Sequence, residues 1–529
     1  MSCYEKWLHS SALQDEEKAE LKNYSTDEQK KFEITLSFGT AGIRGPIGLG
    51  PHRLNRFTIR QVTKAYYRFL SQKHPRLNKQ GLVIAYDNRH CSRSFAEEAA
   101  SLFAYHRIPV HLYRDIRPTP MLSFAIRKLH ASGGIMITAS HNPPSDNGFK
   151  VYGPDGSQLL PLDAKYIEQQ MKKIDDVLTI PTLSYVHAKH TGKIMEISDE
   201  IDAEYYAHVQ SLMPCTNTHP ALTVVYTALH GTGQVALPSL FQKEKFIQVH
   251  LVPEQCQAHP DFPTVASPNP EDKQAFTLAK NLAYKVQADM IIATDPDADR
   301  VGIMIPYKND YIHLTGNQIG VLLLHYLLTE QKKTGTVYST IVSTSLTRKI
   351  AAHHGIRTIE TLTGFKYIAE LIEKNQDLLL GFEESHGYLV GDFVRDKDGV
   401  QTSLLLCHLA AHYKKQKKNI LQILQNIYNH FGYHQTKIIS LSMDTAKNVI
   451  DDFFTLWDDK VKQKLDYRIG IDDLPKAEVG KVLLHDGSWV AIRPSGTEPK
   501  VKIYMEAVGK NKPDTDGKMI EFTKIIAKL

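Results

Sequence analysis

The sequence predicts an α/β protein of several domains, on three observations. The chain has 529 residues, and at roughly 100–200 residues per domain that length makes three to five domains. From Thr58 onward, short apolar runs alternate with amphipathic helical patterns, the grammar of a mostly parallel sheet covered on both faces. From Asn419 the interleaving loses its regularity, which predicts a smaller α+β domain at the end.

Taken in order, residues 1–31 place Trp7, Leu8, Leu13, Ala19 and Leu21 among acidic positions at near-helical spacing, the pattern of a surface helix that packs on the neighbouring α/β segment. A helix is predicted over 58–72, a strand over 81–86 ending in the polar Asp87-Asn88-Arg89, a helix over 94–106 and a strand over 109–113. The same alternation returns with apolar runs at 222–226, 289–293, 336–342 and 378–381. The runs at 222–226, 289–293 and 378–381 each end in a polar loop, where open α/β sheets place their sites, and 336–342 opens a third α/β segment. Three similar units are expected, although no repeat stands out in the letters. A helix over 420–431 and strands at 438–441, 481–484, 489–492 and 501–504 make the last segment. The expected domains are 1–205, 206–315, 316–418 and 419–529.

Composition narrows the function. Hydrophobic residues make 42% and charged residues 23% of the chain, as in a folded protein with a full core. A net charge of +5 spread over this length, with no dense Lys/Arg block, argues against nucleic acid. Lys414-Lys415-Gln416-Lys417-Lys418 follows an apolar helical pattern and reads as a solvated helix end. The cysteines, Cys3, Cys91, Cys215, Cys256 and Cys407, form no CxxC pair, which suits a reducing compartment. No apolar h-region follows the N-terminus. The longest apolar run, 319–328, contains His325 and falls short of the ~20 residues of a membrane helix. A cytoplasmic protein with no membrane partner is expected.

Five polar segments carry candidate chemistry. Thr138-Ala139-Ser140-His141-Asn142-Pro143-Pro144 follows the apolar run 134–137. Its two prolines fix φ and stop helix propagation, so Ser140 sits on a stiff turn suited to a nucleophile; an ordinary strand-ending turn has the same look. His141 is no sign of a triad, since neighbours on a turn usually diverge. Asp295-Pro296-Asp297-Ala298-Asp299-Arg300 sets carboxylates at i, i+2 and i+4, which converge on one side of extended backbone. Three hard oxygen ligands suit Mg²⁺, and Arg300 can balance charge or hold phosphate. Gly381-Phe382-Glu383-Glu384-Ser385-His386-Gly387 offers Glu383 and Ser385 to sugar hydroxyls; taken alone, the region reads equally as a polar surface loop. Downstream, the charged stretch 394–399 holds Lys397, a base or a phosphate ligand. Arg493-Pro494-Ser495-Gly496-Thr497-Glu498-Pro499 joins a guanidinium, two hydroxyls and small residues whose N–H groups can curl around an anion. Gly39-Thr40-Ala41-Gly42-Ile43-Arg44-Gly45 is a glycine-rich loop that permits close ligand approach, with Arg44 as a phosphate or transition-state contact.

Together these segments resemble the α-D-phosphohexomutase superfamily over nearly the whole chain, from about Gly39 to Tyr504. The 138–144 segment is similar to that family's phosphoserine loop, 295–300 to its metal loop, 381–387 to its sugar loop and 493–499 to its phosphate loop. Gly381 to Tyr388 and Arg395 to Gly399 resemble the phosphoglucomutase branch, in particular bacterial α-phosphoglucomutases related to the phosphoglucomutase-2/phosphopentomutase group. The phosphomannomutase/phosphoglucomutase branch usually carries Gly-Glu-Met-Ser-Gly-His there; His386 stands one place early, which speaks against mannose as main substrate.

The resemblance implies three related α/β domains and a smaller fourth around a central cleft. It implies interconversion of α-D-glucose 1-phosphate and D-glucose 6-phosphate through phosphorylated Ser140. One Mg²⁺ would be held by Asp295, Asp297, Asp299 and a phosphoserine oxygen. Glucose 1,6-bisphosphate would be intermediate and activator. It implies Arg493, Ser495, Gly496 and Thr497 for substrate phosphate, Thr363, Gly364 and Lys366 as a second sugar loop, and Arg44, His141, Lys150 and Lys397 as candidates around proton transfer. Arg44 is the poorest base, its pKa being too high; Lys150 and Lys397 stay undivided. The alternatives are a phosphopentomutase, a phosphomannomutase activity, a glucose 1,6-bisphosphate synthase, a binding protein that has lost catalysis and a Mg²⁺-dependent phosphatase. Sugar phosphates are the expected partners of a monomer or dimer.

Overall fold

A computed structural model describes residues 1–39, 42–214, 219–442, 448–457, 461–494 and 500–529. The chain divides into two compact units. One comprises Met1–His313, Ala369–Gln376 and Gly391–His408; the other comprises Leu314–Ile368, Asp377–Val390 and Leu409–Leu529.

The first unit holds two sheets. In the first, β1 (Gly42–Pro46), β2 (Leu82–Tyr86), β3 (Val110–Leu112), β4 (Gly134–Ile137), β5 (Asp146–Tyr152) and β6 (Ile194–Glu196) take the order β1-β5-β4-β2-β3-β6. The second has β7 (Leu222–Thr227), β8 (Ile247–Leu251), β9 (Met290–Thr294), β10 (Val301–Tyr307) and β11 (Asp310–His313) in the order β11-β10-β9-β7-β8. In the second unit, β12 (Thr336–Thr340), β13 (Thr358–Thr361), β14 (Leu378–Glu383) and β15 (Gly387–Leu389) form a third sheet, β13-β12-β14-β15. The fourth sheet is antiparallel throughout, with β16 (Tyr433–Ser442), β17 (Val461–Asp466), β18 (Gly480–Leu484), β19 (Trp489–Pro494) and β20 (Lys500–Gly509) ordered β16-β20-β19-β18-β17.

The internal repeat lies in topology. In each of the first three sheets a central strand (β2, β7, β12) has one parallel neighbour on each side: β3 and β4, β8 and β9, β13 and β14. The second neighbour then turns back into an antiparallel strand: β4 into β5, β9 into β10, β14 into β15. The sheets are therefore mixed: parallel pairs form the centre of each, as the alternation predicts, and the antiparallel returns are too short for a crossover helix. Each return loop carries a non-glycine residue in the left-handed region: Ser140 at φ 52°, Ala298 at φ 51° and His386 at φ 65°.

Strands β2, β4 and β9 are fully buried apolar runs. Around the first sheet the core includes Ile43, Ile84, Ile135, Ile137 and Phe149, covered by Val62, Tyr66 and Phe103 of the helices Arg56–Lys73 and Ser92–Tyr105.

Two expectations are corrected. The single surface helix over 1–31 is three helices, Cys3–Leu8, Asp15–Lys22 and Thr26–Lys30, because Ser2, Gln14 and Ser25 each open a capping box that restarts the helix. Trp7, Leu13 and Leu21 still pack against Phe32, Leu49 and Phe57. Within the glycine-rich segment 39–45, Thr40 and Ala41 lie outside the described residues, and Gly42–Pro46 is edge strand β1 rather than a loop. Gly42 has to be glycine: its φ is 154°, and a Cβ there would lie 2.0 Å from the Phe149 carbonyl oxygen.

Candidate active site

Ser140 closes the β4–β5 return. A serine at positive φ stores roughly 1–3 kcal/mol of strain, which the surroundings must hold. They do so from both sides: the Thr138 hydroxyl accepts from the Ser140 N–H at 2.8 Å, and the Ser140 hydroxyl donates to Asp295 at 2.7 Å. The side chain of His141 does not diverge as its neighbour position suggested. Its Nδ1 lies 3.3 Å from the Ser140 Oγ, and Ser140 is 2% exposed.

The aspartate loop joins β9 to β10 as a tight turn, not as extended backbone. The Ala298 N–H bonds the Asp295 carbonyl at 2.9 Å, and the Arg300 N–H bonds the Asp295 carboxylate at 3.0 Å. It is the turn that converges Asp295, Asp297 and Asp299, one oxygen from each within 4.8 Å of the others, all buried. Burial and the neighbouring Asp297 and Asp299 push the Asp295 carboxyl well above the usual range. Burial alone would do the same to Asp297, but the Lys150 ammonium and then Lys397 hold it below that range.

Two buried lysines meet this cluster. The Lys150 ammonium, on β5, donates to Asp297 at 2.7 Å and lies 3.7 Å from Asp299. That of Lys397 lies 3.1 Å from Asp299 and 3.3 Å from Asp396. The segment around Lys397 is anchored because Asp398 caps the helix Gly399–Lys415 and takes bonds from Tyr205 and Gln401, while the Gly399 N–H bonds the Ala298 carbonyl. Ser140, His141, Lys150, Lys397 and the three aspartates thus form one cluster within one unit. Arg44 stands opposite Gly148 on β1, sharing the sheet face of Lys150, and is exposed. The Arg300 guanidinium pairs with Glu271 and lies 3.8 Å from Asp299, which favours the charge-balancing role over phosphate binding.

The oxygens fit a cation. Oδ1 of Asp297 and Oδ1 of Asp299 are buried and accept no hydrogen bond, a cost that a metal ligand would not bear. The aspartate loop can therefore hold a metal ion.

The second unit holds the other candidates. Glu383 ends β14 and accepts the Gly364 N–H at 3.0 Å. Thr363 has a buried hydroxyl oxygen outside any hydrogen bond, Ser385 lies in the β14–β15 return, and Lys366 is buried with its ammonium 5.4 Å from the Tyr367 ring centre. Arg493 lies on β19 and hydrogen-bonds Tyr504, and its charge bears on Lys366. Ser495, Gly496 and Thr497 lie outside the described residues.

Sequence reasoning missed several supports. Thr119 grips Asp297 through its N–H (2.9 Å) and its hydroxyl (3.0 Å). Thr232 bonds the Pro296 carbonyl through its N–H (2.7 Å) and hydroxyl (2.8 Å). Polar residues after β7 were the visible signal for the second; nothing local marks Thr119. Gly231 lies against the same loop, and a Cβ on it would stand 2.3 Å from the Pro296 Cα. Gly231→Ala is thus expected to displace the aspartates by a few tenths of an ångström or more and lower kcat by up to about a hundredfold, with circular dichroism unchanged; steady-state kinetics on the folded variant checks it.

Among the described residues no helix is long and apolar enough to cross a membrane. Four family models match the chain: Phosphoglucomutase/phosphomannomutase alpha/beta/alpha domain I at 35–178, domain II at 203–308, domain III at 315–431 and the C-terminal domain at 452–512. A curated Phosphoglucomutase of Staphylococcus aureus (strain MSSA476) is 38% identical over 521 residues, covering 93% of each chain. Two solved structures share the fold. A Phosphoglucomutase/phosphomannomutase family protein from Burkholderia thailandensis has TM-score 0.72 at 18% identity, covering 92% of this chain and 96% of its own. The open form of parafusin, a phosphoglucomutase from Paramecium, has TM-score 0.69 at 19% identity, covering 92% and 93%. The chain therefore belongs to the phosphoglucomutase/phosphomannomutase family, with all four of its domains.

Proposed function

We propose that this enzyme interconverts α-D-glucose 1-phosphate and D-glucose 6-phosphate, with Ser140 as the phosphoryl carrier. The observation that carries the reading is the Ser140 hydroxyl, held at positive φ and 2.7 Å from Asp295 in a buried cluster of three aspartates and two lysines. A hydroxyl placed so serves group transfer better than packing. The name of the Staphylococcus relatives supports glucose as the sugar.

In the forward direction the phosphoserine P–Oγ bond breaks as a bond forms from phosphorus to O6 of glucose 1-phosphate. The O6 proton passes to a base and Oγ regains a proton. His141, with Nδ1 at 3.3 Å, holds or supplies the proton at Oγ. One of Lys150 and Lys397, as the neutral amine, takes the proton at the sugar hydroxyl, and the other, as the ammonium, keeps its aspartate partner charged. Glucose 1,6-bisphosphate then presents its 1-phosphoryl group, and transfer to Oγ releases glucose 6-phosphate. Asp295, Asp297 and Asp299 would hold Mg²⁺, which would spread the charge of a phosphoryl group on Ser140. Glu383, Ser385, Thr363 and Gly364 take sugar hydroxyls, and Arg493 with Lys366 takes phosphate. Arg44 adds positive charge on the Lys150 face, and Arg300 steadies the aspartate loop.

A panel of sugar 1-phosphates, assayed with bisphosphate and Mg²⁺, tests the substrate. The highest kcat/KM on glucose 1-phosphate is expected; a higher value on ribose 1-phosphate or mannose 1-phosphate would overturn that choice. Lys366 adds a pH signature. Burial and the nearby Arg493 guanidinium bring its ammonium down to about 8, so it is charged below that pH and neutral above it. Accordingly kcat/KM falls as pH rises through about 8, mostly through KM, and Lys366→Met flattens that limb. A wild-type KM constant from pH 7 to 9 would contradict the assignment.

A further inference from the structure

Arg89 closes the polar stretch after β2, and none of the chemistry above uses it. Its side chain is fully buried. Nη1 donates to the carbonyls of Pro143 (2.7 Å) and Asp146 (3.0 Å), and Nη2 to those of Ser140 (2.5 Å) and Asn142 (2.6 Å). Four carbonyls of one short loop thus converge on one guanidinium. Arg89 is itself fixed: its N–H donates to Asp87 at 2.9 Å, the two charged groups lie 3.4 Å apart, and the Ser92 hydroxyl donates to the same Asp87 oxygen at 2.6 Å. The Phe262 ring stands 5.0 Å from the guanidinium carbon.

We propose that Arg89 is the positioning residue of the Ser140 loop, setting the orientation in which the serine accepts and returns a phosphoryl group. This rests on the reading of Ser140 as the carrier. Pro143 and Pro144 have no N–H, so the loop has few donors of its own: the Asp146 N–H reaches the Pro143 carbonyl at 3.0 Å, and Arg89 serves those of Ser140 and Asn142. A planar guanidinium supplies four N–H groups in a fixed fork, which a lysine cannot reproduce. The arrangement also has an electrostatic consequence. A trans peptide points its N–H away from its carbonyl, so a carbonyl drawn onto Arg89 turns its negative end inward. The loop can then carry a dianionic phosphoserine without carbonyl oxygens crowding it. Ser140 keeps its strained φ because the carbonyl just after it is held.

The device recurs. After β7, Thr232 holds the Pro296 carbonyl of the next return loop. At the end of β12, the Thr340 hydroxyl donates to the Glu384 carboxylate of the third at 3.0 Å. In each repeat a residue at or just beyond the end of the central strand braces the return loop of its parallel neighbour.

The test is Arg89→Lys in the full-length enzyme, phosphorylated with glucose 1,6-bisphosphate and followed by steady-state kinetics and by mass spectrometry of the Ser140 peptide. Positioning predicts kcat lower by about a hundredfold, KM for glucose 1-phosphate within about twofold of wild type, and phosphate lost from Ser140 to water faster than in wild type. A role in stability alone would lower the melting temperature and leave kcat and phosphoserine lifetime of the folded fraction unchanged, which overturns the proposal. If Arg89→Lys does not fold, Asp87→Asn keeps the guanidinium but loosens its anchor. The same split in weaker form is then expected, and an unchanged kcat and phosphoserine lifetime overturn the proposal. Wild-type enzyme that takes up no phosphate contradicts the carrier reading and takes the proposal with it. Phosphorylated wild type beside an unaltered Arg89→Lys overturns only the role of Arg89.

Discussion

Ser140→Ala is expected to lose turnover by about 10⁴-fold or more, the scale on which deleting a covalent nucleophile acts. The substitution removes one oxygen and little else. The backbone bond from the Ser140 N–H to Thr138 and the four carbonyl bonds to Arg89 involve no Oγ. The Asp295 carboxylate loses one donor, worth about 1 kcal/mol of stability. A folded, nearly wild-type protein without activity is thus the expected product, and supplied bisphosphate does not rescue it, since no oxygen remains to take the phosphoryl group. Activity above a tenth of wild type would mean that another group carries it.

Removing divalent metal is expected to have the next largest effect. Three buried carboxylates share a space of 4.8 Å, and the lysine ammoniums meet Asp297 and Asp299 while leaving Oδ1 of each outside any hydrogen bond. Such a set is costly to keep charged on its own. Chelation with EDTA should stop turnover, and Mg²⁺ should restore it. A second readout needs no activity: Mg²⁺ added to chelated protein should raise the melting temperature, because a ligand at a hundredfold over its Kd adds about 2.7 kcal/mol. Asp297→Asn should abolish that rise. A melting temperature blind to Mg²⁺, together with turnover indifferent to EDTA, would contradict a metal role for this loop.

Much of the architecture was legible because buried strands are apolar runs bounded by polar residues. Strand β4 matches the run 134–137, and β2, β7 and β9 start and end within a residue of their runs. Three similar units were expected, but what they share was not legible, since β4–β5, β9–β10 and β14–β15 agree in topology and in a positive φ rather than in letters. Ser140 and the aspartates stood out as local motifs. The geometry of the aspartates did not, because convergence comes from a turn through Ala298 that spacing alone does not specify. The approach of His141 to Ser140 depends on the same kind of backbone detail. Thr119 was invisible for another reason: its partner Asp297 lies 178 positions away, and no local pattern encodes such a contact. Arg89 lay in a stretch whose polarity was evident but whose partners were not.

The central claim is that Ser140 carries the phosphoryl group between two positions of one sugar. Mass spectrometry of the purified enzyme, incubated with glucose 1,6-bisphosphate and digested, tests it most directly. One phosphoryl group on the peptide spanning Ser140, discharged when glucose 1-phosphate is added, is the predicted result. A peptide that stays unmodified while the enzyme turns over, or a phosphoryl group found on another residue, would contradict it.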